Sequence, residues 1–89
     1  MSHDVATMRA LLVEALRNNP IIDLSAPDIL ARLDDPHADC AFDEIAMDSL
    51  GRLETCIWME VSAGIALREA EMLDHPGLMA LATHLAARG

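Results

Sequence analysis

The stretch FDEIAMDSLGRLETCIWMEVSAG, Phe42 to Gly64, passes from a loop into a helix near Ser49. Asp48 and Ser49 are both residue types that cap helices, because their side-chain oxygens accept hydrogen bonds from the unpaired amides of a first turn. Beyond them Leu50, Leu53, Cys56 and Met59 recur at threes and Ala63 extends the series, the spacing of one helical face. Gly64 supplies the stop, since a helix commonly ends on a left-handed residue that glycine adopts freely. The expectation is a helix from about Asp48 or Ser49 to about Ala63, with that stripe turned inward. Ile57, Trp58 and Val61 add apolar bulk to it. Trp58 is expected to pack on residues 18–41, or else to anchor a partner, a role tryptophan often plays.

Upstream, Val5, Met8, Leu11, Leu12, Ala15 and Leu16 fall at helical spacing between Asp4 and Arg17. Pro20 ends that helix, because it cannot continue one and biases Asn19 away from the α conformation. Residues 18–41 are too long for an empty loop in so small a chain. Within them SAPDILARLD predicts a short helix capped by Ser25, with Pro27 in its first turn and Asp28 at the capping-box position. Ile22, Leu24, Ile29, Leu30 and Leu33 are expected to pin this segment down, and DDPHAD to form an exposed turn. Downstream, LREAEML predicts a short helix and DHPGLMALATHLAARG a longer one, its inner face made by Leu78, Leu81, Ala82 and Leu85.

The 89 residues therefore read as a single all-α domain, residues 1–89: three main helices, one or two short ones, and a long connection between the first two main helices. Aromatic residues are 2% of the chain, so aliphatic side chains and methionine must fill the core. Fifteen Asp and Glu oppose six Arg and no Lys, a formal charge of −9. Such a surface repels nucleic acid and anionic lipid and attracts basic protein patches. Cys40 and Cys56 form no disulfide framework and are expected as reduced thiols in the cytoplasm. The sequence shows no basic-plus-apolar leader and no apolar run of membrane-spanning length. His3, His37, His75 and His84 are scattered without ligand spacing, so no metal site is expected. No paired carboxylates, nucleophile–base pair or Gly-rich phosphate loop stands out, and the chain does not read as an enzyme.

Ser49 has a second reading besides helix cap. The segment from Phe42 to Leu85 resembles an acyl carrier protein, most closely those of polyketide synthases, which commonly read F-x-x-L-G-x-D-S-L. Phe42, Ile45, Ala46, Asp48, Ser49 and Leu50 stand in that register, with Ile and Ala in place of the usual Leu and Gly. Leu53–Glu54 and Gly64 meet the family's downstream pattern. Its L-P-x-x-x-x-F-D-H-P-T stretch aligns without gaps on LREAEMLDHPG, where Leu67, Asp74, His75 and Pro76 match while Arg68, Leu73 and Gly77 depart. The motifs cover about half of the chain. D-S-L alone is common by chance; at a helix start, with this spacing and acidity, it is far more specific.

The resemblance implies that Ser49 carries 4′-phosphopantetheine, flanked by Asp48 and Leu50, and that the arm's thiol holds an acyl group as a thioester. A separate phosphopantetheinyl transferase would attach it from coenzyme A. It also implies a monomer that meets acyl-loading, condensing or acyltransferase enzymes through basic patches of theirs. Glu54 is assigned to that recognition, with Glu60 beside it, and Met47, Gly51, Ile57 and Trp58 as further partner-facing residues. Gly51 is read as a small residue that lets a partner or the arm approach. A peptidyl or aminoacyl carrier, and an unmodified acidic helical adaptor, remain as alternatives.

Overall fold

The computed structural model describes residues 4–88, so His3 lies outside the described residues. They form five α-helices: α1 (Val5–Arg17), α2 (Pro27–Asp34), α3 (Ser49–Ala63), α4 (Glu69–Asp74) and α5 (Leu78–Arg88), with a 3₁₀ turn over Phe42–Ile45. No strand is present among them, only an isolated antiparallel bridge between Ala41 and Gly77. The fold is an all-helical bundle, as the apolar spacing predicts.

Helix α1 packs most extensively on α5 and next on α3, and α4 lies against α3. Its buried side chains Met8, Leu12 and Leu16 meet Ile29 and Leu33 of α2, Met59 of α3, Met72 of α4 and Leu78, Leu81 and Leu85 of α5 in one core cluster. A buried cation lies at its edge. Arg9 donates to the carbonyls of Arg32, Leu33 and Ala38 at 2.9 to 3.4 Å, so it satisfies the C-terminal carbonyls of α2 and favours the negative end of that helix.

Residues 18–41 are anchored at both ends. Asn18 caps α1, and the Asp23 amide donates to the Ile45 carbonyl at 3.0 Å. At the far end Phe42 donates to Pro76, Leu78 donates to Cys40, and the Asp39 carboxylate accepts from the Met79 amide at 2.9 Å. Asp39 thus satisfies a first-turn donor of α5 from a distant part of the chain.

Three expectations are corrected. Helix α2 starts one residue later than a Ser25 cap requires: Ala26 is its cap, Pro27 its first residue, and the Ser25 amide instead donates to Asp23. Asp28 pairs with Arg32 one turn on, in place of a capping box. Leu30 is exposed, whereas Ile22, Ile29 and Leu33 are buried as expected and Leu24 packs partly on the core. The 3₁₀ turn has no apolar period to announce it, since only Phe42 and Ile45 of its residues are buried.

Candidate functional site

Ser49 is held by the turn that precedes it. Phe42 and Ile45 are buried, and Glu44 binds Arg32 with both carboxylate oxygens, at 2.8 and 3.0 Å, while accepting from the Ala41 amide. The Arg32 hydrogen bond, with the Ala41 amide, holds the Glu44 carboxyl down at about 2. After Ile45 the chain reverses at Ala46, whose φ of 55° is left-handed. Such a conformation costs a non-glycine residue roughly 1–2 kcal/mol. It lets the chain leave the turn and enter α3 through extended Asp48.

Asp48 is the cap. Its side chain accepts from the Gly51 amide at 2.8 Å and its carbonyl from the Arg52 amide at 2.9 Å. Ser49 is the first helical residue, is exposed, and has no hydrogen bond from its hydroxyl to a described residue. The amides of Ser49 and Leu50 have no intrahelical acceptor by helix geometry. The serine hydroxyl therefore stands in water at the positive end of a fifteen-residue helix. That setting favours a phosphodiester on it. Among the described residues none is hydrogen-bonded to the hydroxyl as a base.

The rest of α3 is oriented differently from the expected stripe. Gly51, Thr55 and Met59 face the interior, four residues apart. Leu50, Leu53, Ile57 and Val61 are 58%, 51%, 47% and 79% exposed, and they form their own line along the outer face. Cys56 packs only partly on the core. Of the expected inward stripe Met59 is buried and Cys56 and Ala63 pack partly on the core, whereas Leu50 and Leu53 are corrected to the outside, where the apolar bulk of Ile57 and Val61 also lies. The physical reason is polar. The buried side chain of Asn19 donates to the Gly51 carbonyl at 2.9 Å and to Thr55 Oγ1 at 3.1 Å, and Thr55 Oγ1 donates back to Gly51 at 2.9 Å. These bonds fix which side of α3 meets the 18–24 segment.

Gly51 lies beneath that segment. A Cβ there would come within 2.9 Å of Ile22 Cγ2 and 3.0 Å of Met47 Sδ. The close approach it permits comes from its own chain, which removes Gly51 from the partner-facing surface. Met47 precedes the helix and is half-buried, so Met47, Gly51, Glu54 and Trp58 do not form one exposed face. Trp58 is half-buried against the core. Glu54 is half-buried and Glu60 exposed, and at about 100° per residue the two flank the Leu50–Val61 line on opposite sides.

Comparison of the chain with protein-family models, with curated proteins and with solved structures finds no match.

Two clusters escaped the sequence reading. Glu71 is buried on α4 and takes Arg88 Nη1 and His84 Nε2 at 2.7 Å each, with the Arg68 amide at 3.0 Å. Burial pushes its carboxyl up, but the Arg68 amide, His84 and Arg88 outweigh that and hold it down at about 2. His84 also stacks on His75, ring centroids 4.2 Å apart. The second is Arg52, whose Nε is buried without a hydrogen-bond partner. Cys40 and Cys56 are free thiols pushed up by burial. Among the described residues no group of three His, Cys, Asp or Glu is placed to hold a metal, and no helix is long and apolar enough to cross a membrane. Two surface depressions lie away from Ser49, one between α1 and α2 and one beside His75 on α5.

Proposed function

We propose that this protein is an acyl carrier protein in which Ser49 bears 4′-phosphopantetheine, serving polyketide-type biosynthesis in the cytoplasm. The observation that carries the reading is the division of labour at the start of α3. Asp48 already caps the helix, so nothing structural occupies the Ser49 hydroxyl. The left-handed Ala46 supports the same reading: it stands where the resembled pattern has glycine, the residue that such a φ favours.

Ser49 supplies the oxygen of attachment, and the free amides of the first turn face the phosphate's charge. A phosphopantetheinyl transferase performs the attachment from coenzyme A, since no described residue is hydrogen-bonded to the Ser49 hydroxyl as a base. When bound, the arm supplies a terminal thiol that holds an acyl group as a thioester. The outer line of Leu50, Leu53, Ile57 and Val61, flanked by Glu54 and Glu60, begins beside Ser49 and provides apolar contact with an acidic border. Loading, condensing or acyltransferase enzymes with basic patches fit such a border, which sets on-rate and orientation more than affinity.

Mass spectrometry after incubation with coenzyme A and a broad-specificity transferase tests the proposal. The wild-type chain gains the mass of one phosphopantetheinyl group and Ser49→Ala gains none while keeping its helical circular dichroism. A wild-type chain that stays unmodified overturns the reading and leaves an unmodified acidic adaptor.

A further inference from the structure

Arg52 stands three residues after Ser49 on α3. Residues at that spacing are neighbours on a helix surface, and long helical side chains lean back toward the N-terminal turn. Here that turn is the one holding Ser49. The Arg52 side chain is 20% exposed. Among the described residues its Nε is buried and donates to nothing, and the carboxylate oxygen it pairs with, Oε2 of Glu69, is 3.8 Å away, beyond hydrogen-bond reach.

The other arginines set this apart. Arg9, Arg17, Arg32 and Arg88 all donate to carbonyl or carboxylate oxygens, Arg32 through its Nη atoms although its Nε is also buried without a partner, and Arg68 is largely exposed to water. Arg52 has lost most of its water without gaining a hydrogen bond in return. A buried donor left in that state is costly, more so when charged. What completes a guanidinium best is an anion with several oxygens at fork spacing, a carboxylate or a phosphate. The carboxylate present is too distant.

We propose that Arg52 binds the phosphate carried by Ser49, an inference that rests on the proposed attachment there. The guanidinium then exchanges a loose pairing with Glu69 for direct hydrogen bonds to phosphate oxygens. Arg52 is a positioning residue. Around the helix it lies on the side of Ser49 opposite the Leu50–Val61 line. It therefore draws the root of the arm toward the α3–α4 side, where Glu69 pairs with it and Cys56 Sγ meets Met72 Sδ at 3.8 Å. The outer apolar line stays clear for a partner.

The test follows the Arg52 Nε–H resonance and the phosphodiester ³¹P resonance in the full-length protein before and after loading with coenzyme A and transferase. The expected result is a downfield shift and slowed solvent exchange of Arg52 Nε–H on loading, and a ³¹P shift that moves in Arg52→Met but returns toward wild type in Arg52→Lys. Loading also raises the melting temperature of wild type and leaves that of Arg52→Met unchanged. Attachment confirmed by mass with an unmoved Nε–H signal overturns this inference alone. A chain that takes no arm mass overturns the attachment together with it. The Nε–H measurement is made on wild type, so it decides the matter even if the variants fold poorly.

Discussion

The Asn19 side chain donates to the Gly51 carbonyl at 2.9 Å across 32 positions of sequence. Through it the segment just after α1 selects the face of α3 that turns inward. The same side chain accepts from the Ile21 amide at 2.9 Å and donates to Thr55, so one buried amide serves both elements. Asn19→Ala leaves the Ile21 amide without that acceptor and Thr55 without that donor. A loss of about 1–3 kcal/mol is expected, read from urea unfolding. A midpoint within error of wild type would show that the bond does not orient α3.

Gly51→Ala sets two effects against each other. Alanine is the better helix former by about 1 kcal/mol. Its methyl would lie 2.9 Å from Ile22 Cγ2, a branch that cannot swing aside without moving the connection. Overpacking of that kind costs roughly 1–3 kcal/mol, so the variant should unfold at lower denaturant than wild type. A gain in stability would show that residues 18–24 yield.

Ala46→Gly should stabilise the protein. The left-handed φ of 55° is strained for alanine and free for glycine. The greater freedom of glycine in the unfolded chain offsets part of the relief, leaving about 0.5–1 kcal/mol. Thermal unfolding measures it, and an unchanged or lower midpoint would contradict the strain at Ala46.

Substitutions on the outer line of α3 should separate binding from folding. Ile57→Ala removes a half-exposed side chain and should change stability by less than about 0.5 kcal/mol. Met59→Ala, at a fully buried position, should cost about 2–5 kcal/mol. With a partner enzyme, Ile57→Ala and Glu54→Arg should slow transfer, and added salt should weaken the wild-type reaction toward Glu54→Arg. Transfer rates equal to wild type at low salt for both would remove this face from recognition.

The Glu71 cluster predicts an acid-sensitive link between α4 and α5. Its carboxyl titrates near 2 in the fold against an ordinary 4.5. A depressed carboxylate contributes stability that is fully present above about 4.5 and is lost as pH falls toward 2. Arg68, His84 and Arg88 face it, and His75 stacks on His84. Melting temperatures of wild type and Glu71→Gln should differ at neutral pH and converge below pH 4.5. A constant gap down to pH 2 would mean that the charge is not what holds α4.

Much of this was legible in residues 4–88 because helices are local objects. The bounds of α3 follow from Asp48 as a capping type and Gly64 as a left-handed terminator, and both are decided by neighbours within one turn. The inner face of α5 at Leu78, Leu81, Ala82 and Leu85 follows from spacing, and so do Met8, Leu12, Ala15 and Leu16 of α1, whereas Val13 is buried outside the expected stripe and Val5 and Leu11 are only partly buried. Ser49 could be singled out from its place at a helix start. What local pattern could not decide was which of two apolar lines on α3 faces inward. Leu50, Leu53, Cys56 and Met59 looked like the buried set, yet of these only Met59 is fully buried, and Gly51 and Thr55 share its face. That choice rests on Asn19 and Ile22, which reach α3 from outside its own sequence and reward a small or polar side chain over a large apolar one. The deficit at Arg52 and the Glu71 pairings are of the same kind. Hydrogen bonds and ion pairs between distant elements depend on where helices dock, and only the tertiary structure fixes that.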